Sequence, residues 1–259
     1  MKSLSVTALS CLKGKNANTL FLLACTIYSP WLSAASWSIG GAAAVSDYGY
    51  RDTKAQTQGM PTVDYEDDNF YLHTLTAGYY LLKTPKDRLS IMALYSPLGF
   101  DPDDSDNDQM KKLDKRKGTL MAGLNYYHSE EWGTFRATLL GDTLGNSKGM
   151  VGDLAFMYPI DFGKLQVVPA MGVVWSSRKQ NDYYYGVSSA EADRSGFSTY
   201  SPGASWDPYV ELVANYQFTE NWYAAAVLRV SKLSSKISDS PIMDKEVSGA
   251  ALIGGGYRF

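Results

Sequence analysis

Hydrophobic and polar residues alternate with a period of two along most of the chain after residue 35. The alternation recurs in segments of about ten residues, rich in Tyr, Val, Leu and Gly and separated by turn-forming residues, as in outer-membrane strands. No stretch after residue 35 is apolar over the roughly 20 residues that a transmembrane helix requires. The pattern predicts an all-β fold, a transmembrane antiparallel up-and-down β-barrel of about 10 to 12 strands. An exported β-sandwich is the soluble alternative.

The segments give ten predicted strands. They cover residues 37–45, 70–82, 88–96, 119–128, 133–142, 149–160, 164–176, 210–218, 222–230 and 250–259. A further short strand at 61–66 would need a second, unseen strand and would make the number twelve, because a barrel of one bacterial chain has an even number. Short links alternate with longer ones, as periplasmic turns alternate with outer loops. The short links are 83–87, 129–132, 161–163 and 219–221.

Pro169 is the weak point of the strand at 164–176. A proline cannot donate a hydrogen bond to a neighbouring strand, so it is found mainly on edge strands or at bulges. The sequence therefore predicts a bulge or a break in register at this position.

The hairpin at 210–230 predicts an ion pair inside the barrel. Pairing Phe218 with Trp222 across the turn places Glu211 directly opposite Arg229, on the face that alternates with the apolar one. The two aromatic residues then lie beside the turn, where barrels carry an aromatic girdle. The last strand ends in Phe259 with Tyr257 two places earlier, which resembles the assembly signal of outer-membrane barrels.

The amino terminus predicts export. Lys2, Lys13 and Lys15 precede an apolar stretch at 20–32, and Ser33-Ala34-Ala35 supplies the small residues of a cleavage site. We therefore expect residues 1–35 to be a signal peptide and residues 36–259 to be the outer-membrane β-barrel. The alternative is a lipoprotein acylated at Cys25, because Leu22-Leu23-Ala24-Cys25 resembles a lipidation box.

Charge and cysteine content exclude several classes of function. The chain has 24 basic and 27 acidic residues, and loss of the three amino-terminal lysines would change the formal net charge from −3 to −6. A mildly acidic chain without a long basic tract is not expected to bind nucleic acid. Both cysteines, Cys11 and Cys25, lie in the predicted signal, so a mature chain would have neither a disulfide nor a thiolate.

No catalytic, cofactor or metal site is predicted. The acidic stretch Asp104-Ser105-Asp106-Asn107-Asp108 opens like a calcium loop, but Gln109 and Lys115 stand where that motif needs Gly and Glu. His73 and His128 are the only histidines and fall on different predicted strands. We therefore expect no enzyme, with a lipase- or protease-like barrel as a minor alternative.

Two loop segments have compositions suited to binding. A basic run offers phosphate contacts to lipopolysaccharide, or else a loop balanced by its neighbouring acids. It consists of Lys111, Lys112, Lys115, Arg116 and Lys117. The segment 178–206 is rich in Tyr, Ser and Gly and suits adaptable recognition of a partner, although an ordered loop folded over the barrel mouth is the preferred interpretation.

Several short stretches together resemble the MltA-interacting protein family, also called the MipA/OmpV family of outer-membrane proteins. Among them are Asp64-Tyr65-Glu66-Asp67-Asp68-Asn69-Phe70, Gly78-Tyr79-Tyr80-Leu81, Met121-Ala122-Gly123-Leu124, Gly141-Asp142-Thr143-Leu144, Tyr183-Tyr184-Tyr185-Gly186-Val187-Ser188, Asp239-Ser240-Pro241 and Tyr257-Arg258-Phe259.

The resemblance implies a scaffold in the outer membrane of a Gram-negative bacterium. In that role the barrel holds a membrane-bound lytic transglycosylase and a bifunctional penicillin-binding murein synthase together while the peptidoglycan sacculus enlarges and divides. Two alternatives stay open. One is a narrow uptake pore, since Arg88, Arg136, Glu211 and Arg229 point inward on the predicted strands; the other is an adhesin that acts through its outer loops.

Overall fold

The computed structural model describes residues 36–259; the predicted signal peptide lies outside the described residues. Thirteen strands form one antiparallel sheet. They are β1 Ser36–Asp47, β2 Gln56–Glu66, β3 Phe70–His73, β4 Thr76–Lys83, β5 Asp87–Ser96, β6 Thr119–Glu130, β7 Gly133–Asp142, β8 Met150–Met157, β9 Ile160–Phe162, β10 Leu165–Ser176, β11 Ser205–Gln217, β12 Trp222–Lys232 and β13 Val247–Arg258. Helices α1 Arg178–Tyr185, α2 Ser189–Ser195 and α3 Ser235–Ser238 lie in the loops.

The sheet closes on itself as a barrel. Each strand pairs with the next along the chain, except that β8 pairs with β10 and not with β9; β10 also pairs with β11, and β13 pairs with β1. Strands β8 and β9 pair with successive parts of β10 and form one interrupted barrel strand, which makes twelve strands around the barrel. The predicted fold is confirmed, and the even number expected of a single bacterial chain is satisfied.

The barrel has two strands more than the ten predicted from the sequence, and both lie in the region 56–83. The segment predicted as a single strand at 70–82 is instead a hairpin of β3 and β4, which turns at Thr74 with φ 46°. The short strand expected at 61–66 is longer and begins at Gln56. The turn was missed because residues 73–76 contain no Gly, Pro, Asn or Asp to signal a reversal.

Pro169 does not shift the register of its strand. Pairing of β10 with β11 runs without a break from Leu165 to Ser176. Opposite Pro169 the ladder to β8 is interrupted, yet the register on both sides of the interruption is the same. The expected break in register is therefore wrong. The Tyr158 N–H still donates to the Pro169 carbonyl at 3.0 Å, and only the bond that the Pro169 nitrogen cannot donate is missing. The pairing continues in the same register beyond Tyr158 and Pro159. The irregularity in register lies instead between β4 and β5, at Tyr80 and Leu82.

The barrel wall is apolar outside and mixed inside. Ile39, Leu124, Leu154, Leu228 and Ile253 are exposed on the outer face. Alternate residues of the same strands point inward and include polar, small and some large apolar side chains, such as Asn125, Gly254 and Met121. Aromatic side chains crowd the end of the barrel where the links are short. They include Trp37, Tyr65, Trp132, Phe135, Phe218, Trp222, Tyr257 and Phe259.

The two ends of the barrel differ. The turn end carries five short links, 67–69, 84–86, 131–132, 163–164 and 218–221. The loop end carries the long segments 48–55, 97–118, 177–204 and 233–246. In the described part of the chain no helix is long and apolar enough to cross a bilayer.

Candidate functional site: the capped lumen

The long loops fold over the loop end as a compact cap. Its core is a cluster of buried residues from all four long segments. They are Tyr48, Tyr50, Phe100, Met110, Leu113, Tyr184, Tyr185, Val187, Leu233, Ile237, Ile242 and Met243. Isolated β-bridges tie the segments together, including Tyr50 to Met243 and Thr53 to Ser105. The Tyr-rich segment is therefore an ordered part of the cap.

Local capping signals fix the two helices of the segment 177–204. The Ser177 side chain accepts a hydrogen bond from the Gln180 N–H and starts α1. Ser188 and Glu191 form a capping box at the start of α2, in which each side chain accepts from the other residue's backbone N–H. Gly196 ends α2 in the left-handed region with φ 80°, which favours glycine.

A buried ion pair joins the segment 97–118 to the segment 177–204. The Arg116 guanidinium lies 2.7 Å from the Glu191 carboxylate, with side-chain exposures of 6% and 4%. Arg116 also donates to the Gly186 carbonyl at 3.1 Å, and Glu191 accepts from the Asp114 N–H at 3.1 Å. Both ends of the pair are thus held by further hydrogen bonds, as a buried pair requires.

The position of Arg116 corrects the interpretation of the basic run. Its side chain is buried within the cap, so it is not available to lipopolysaccharide phosphates at the surface. Lys115 pairs with Asp101, and Lys111 lies 3.6 Å from Asp108. Lys112 and Lys117 are exposed.

A network of ion pairs and hydrogen bonds lies on the lumen wall beneath the cap. We call it the ionic belt; it consists of Arg136, Asp153, Tyr209, Glu211 and Arg229. Arg136 on β7 donates to Asp153 on β8 at 3.0 Å and to the Tyr209 hydroxyl at 2.9 Å. Tyr209 in turn donates to Asp153 at 2.9 Å. On the neighbouring strand, Arg229 donates to Glu211 at 2.8 Å, with side-chain exposures of 2% and 4%. The Arg229 guanidinium carbon lies 3.9 Å from the centre of the Tyr209 ring and joins the two groups.

A glycine makes room for the belt. Gly172 on β10 lies between the strands that carry Asp153 and Tyr209. A Cβ at Gly172 would come within 2.5 Å of the Tyr209 ring. The absence of a side chain on β10 therefore lets the phenol reach from β11 to Arg136 and Asp153.

An apolar plug lies beside the belt, on the inner faces of β3 and of β5 to β8. It consists of Tyr71, Met92, Leu94, Met121, Leu140 and Val151. Together with the belt, this plug fills most of the inside of the barrel with side chains, as is usual for barrels of this size.

Two cavities lie above and below the belt. The upper one, of about 50 Å³, lies under the cap and includes Asp207 and Ser231 in its lining. The lower one, of about 110 Å³, is lined by Val213 and Asn215 on β11 and by Val227 on β12, among others. Tyr209, Glu211 and Arg229 occupy the intervening inward positions of these two strands. The belt therefore separates the cavities.

The family model described as MltA-interacting protein MipA matches residues 39–259. The chain belongs to this family. It is 44% identical to the MltA-interacting protein of Escherichia coli K12, over 86% of this chain and 90% of that protein. It is also 40% identical to the putative outer membrane protein YiaT of the same organism, over 88% and 92%. The outer membrane protein OmpV of Vibrio cholerae is 29% identical over 58% and 57%.

This member of the MltA-interacting protein family is an outer-membrane barrel. The names of the relatives and the apolar outer wall agree on that location. Glu211 and Arg229 face the lumen in the register derived from their hairpin. The side chains of Arg88 and Arg136 also lie inside the barrel. The Arg88 guanidinium carbon is 5.0 Å from the centre of the Tyr127 ring, and Arg136 belongs to the belt.

The two histidines make separate contacts with carboxylates. His73 lies 3.5 Å from Asp64, and His128 lies 2.8 Å from Asp87. They stand on β3 and β6 and make separate contacts. Within residues 36–259, no cluster of three or more His, Cys, Asp or Glu side chains is placed to hold a metal ion.

The cap of this family member is expected to loosen in acid. Burial alone would raise the pKa of Glu191, but the Ser188 N–H and Arg116 hold that pKa below its ordinary value of 4.5. A lowered carboxyl pKa means that the folded cap favours the charged form. Its stabilisation is complete above pH 4.5 and is lost as the pH falls through the lowered value. An acid-active protease should therefore cut the segment 177–204 increasingly faster below that pH.

The variant Glu191→Gln is the control for this titration. It removes the titrating group while keeping the size of the side chain, so cleavage should depend less on pH than in the parent. If parent and variant showed the same acid dependence, Glu191 would not be the responsible group.

Proposed function

We propose that this protein is an outer-membrane scaffold for murein enzymes. It would hold a membrane-bound lytic transglycosylase and a bifunctional penicillin-binding murein synthase together on the periplasmic side during enlargement and division of the sacculus. The supporting relative is the MltA-interacting protein, which the chain matches over 90% of that protein's length. Such a role needs binding surface and no reactive group.

The filled lumen is the structural observation that carries the proposal. The cap covers the loop end, and the belt and the plug occupy the inside of the barrel. A solute pore would need a continuous wet path, whereas a scaffold uses only outer surfaces. The architecture therefore favours the scaffold over the narrow pore.

The turn end offers a rigid surface for a periplasmic partner. The links 84–86 and 131–132 belong to neighbouring hairpins and are joined near their tips. The Ser129 N–H donates to the Lys86 carbonyl at 2.7 Å, and the Lys86 ammonium pairs with Glu130 at 2.7 Å. The hydrogen bond with Glu130 also raises the pKa of Lys86. We call residues 84–87 and 128–132 the platform.

The platform is ordered before a partner arrives. Tyr126 donates to Asp87 at 2.6 Å, and the His128 ring contacts the same carboxylate at 2.8 Å. Ordered surface costs less entropy to bind than a mobile loop. A stable interface buries roughly 800 Å² on each partner, so neighbouring links would add to the contact around the platform.

Site-specific photocrosslinking in intact cells tests the proposal. A benzoylphenylalanine at Glu131, which is exposed on the platform, is expected to capture the lytic transglycosylase, identified by mass spectrometry. The murein synthase should be recovered in the same complex. The matched control carries the same probe at Leu144, which is exposed at the loop end, and should capture neither enzyme.

If the probe on the platform captures neither enzyme, the contact with the partner would have to lie at another link of the turn end. Equivalent probes in the links 67–69, 163–164 and 218–221 cover the rest of the turn end. If folded barrels with probes in all five links captured neither murein enzyme, the scaffold proposal would be wrong.

A further inference from the structure

The barrel wall has a gap above the hairpin of β3 and β4. Strand β2 begins at Gln56, yet its ladder with β3 covers only Asp64 to Glu66. The hairpin ends there, where the Thr74 N–H donates to the Val63 carbonyl at 2.9 Å. Among the described residues, the part of β2 from 56 to 62 has no ladder partner on this side, and β2 is not paired with β5.

The borders of the gap are defined by contacts. Its lower border is the turn, where the Tyr95 N–H donates to the Leu75 carbonyl at 2.9 Å. Its upper border is the cap, where Thr53 forms a β-bridge with Ser105. Strand β2 forms one side, and Tyr95 and Ser96 at the end of β5 form the other. We call this gap the lateral window.

Lipid alone is a poor seal for the window, because unpaired backbone groups are not tolerated in a hydrocarbon environment. An open strand edge at membrane depth is tolerated where it lines a water-filled cavity. The outward residues beside the window are also small or polar, namely Thr57, Gly59 and Pro61. A proline suits a strand with an unpaired edge, because it has no N–H to satisfy.

The lower cavity lies directly behind the window. Met60 and Thr62 from β2 and Thr74 and Leu75 from the turn border the window and also line the cavity. The remaining lining is mostly apolar. It includes Ala42, Val213, Ala225, Val227 and Leu252. The window and the cavity therefore share one wall.

One polar side chain in this apolar lining lacks a protein partner. Both the Nδ2 and Oδ1 atoms of Asn215 are buried without a hydrogen-bond partner among the described groups. Asp64 and His73 also line the cavity, but they have partners: the Asp64 carboxylate accepts from Ser38 at 3.1 Å and lies 3.5 Å from His73. A buried amide needs a partner from water or from a ligand. A neutral group that both donates and accepts, such as a hydroxyl, matches it.

We propose that the lateral window admits a small, neutral, mostly apolar molecule with one hydroxyl or amide group from the membrane into the lower cavity, where Asn215 binds the polar group. A cavity of roughly 150 Å³ holds benzene, so the lower cavity takes a molecule or chain end of about four to five heavy atoms. The belt separates this site from the upper cavity, so the site is a side pocket of the membrane.

Thiol labelling of the variant Ala225→Cys tests the route. Ala225 lines the cavity directly opposite Asn215 on the neighbouring strand. Neutral methyl methanethiosulfonate should label the introduced thiol in outer-membrane vesicles, and the cationic trimethylammonium-ethyl reagent should label it at least tenfold more slowly. The parent protein is the control, because any labelling of Cys11 or Cys25 would be seen in it as well.

A second substitution distinguishes the window from the ends of the barrel. Thr62→Trp should fill the window from inside and slow neutral labelling at least tenfold. Ala43→Trp adds the same ring to the outer face of β1 and should leave the rate unchanged. Met60→Trp replaces Thr62→Trp if the latter does not fold. Equal rates for both reagents, or no effect of a folded window-filling variant, would overturn the lateral route.

Protection by 1-butanol tests the binding site. In the Ala225→Cys variant, the alcohol should slow neutral labelling of the introduced thiol saturably and at least threefold. The same protection should be lost when Asn215→Leu is added, since the leucine keeps the volume and removes the amide. Protection that is absent, or that persists with Asn215→Leu, would mean that Asn215 binds water only and no such ligand.

Discussion

Replacing Arg229 by methionine should lower the free energy of unfolding of the barrel by about 3 to 5 kcal/mol. The substitution leaves the Glu211 carboxylate at 4% exposure without its ionic partner. A buried carboxylate without a partner has lost its hydration and gains no attraction to a cation in return. Urea unfolding in lipid vesicles, followed by tryptophan fluorescence, measures the loss.

Two variants show whether the unpaired charge is the cause. Glu211→Leu combined with Arg229→Met removes both charges and should recover most of the lost stability, because a well-packed apolar pair often replaces a buried ion pair without loss. Lys164→Met removes an exposed cation at the turn end and should have little effect. A loss of less than about 1 kcal/mol for Arg229→Met would contradict a buried ionic belt.

Arg116→Met is expected to detach the cap while the barrel stays folded. It leaves Glu191 buried without its guanidinium and removes the hydrogen bond to the Gly186 carbonyl. Loss of about 3 kcal/mol of local stability corresponds to a roughly hundredfold larger open population. Limited proteolysis at neutral pH should therefore cut the segment 177–204 about a hundred times faster.

The neighbouring Lys115→Met is the matched control for this change. It removes a cation whose side chain is 45% exposed, so its pair with Asp101 contributes little. Cleavage of that variant should stay within about threefold of the parent. Equal cleavage rates for the Arg116 and Lys115 variants would show that the buried pair does not hold the cap.

The sequence predicted those features that depend on one strand or one hairpin. Period-two alternation gave β1, β5 to β7 and β10 to β13 within five residues of their observed bounds, with the largest difference at the start of β11. The short link at 219–221 set the register of its hairpin and placed Glu211 opposite Arg229. Both inferences need only local geometry.

Contacts between side chains far apart along the chain were not predicted. Tyr209 reaches Asp153 and Arg136 from the far side of β10, and Gly172 on that strand makes room for the ring. Such contacts depend on how distant strands are staggered, which period-two patterns do not encode. The burial of Arg116 was likewise hidden, because its partner Glu191 lies 75 positions along the chain on a different loop.

The proposed scaffold function rests on a lumen that the cap, the belt and the plug close. Conductance of the purified protein in planar lipid bilayers tests this closure most directly. With all loops intact, we expect no reproducible current above the bare bilayer. Stable, stepwise single-channel currents from the same preparation would contradict the closed lumen and favour a pore.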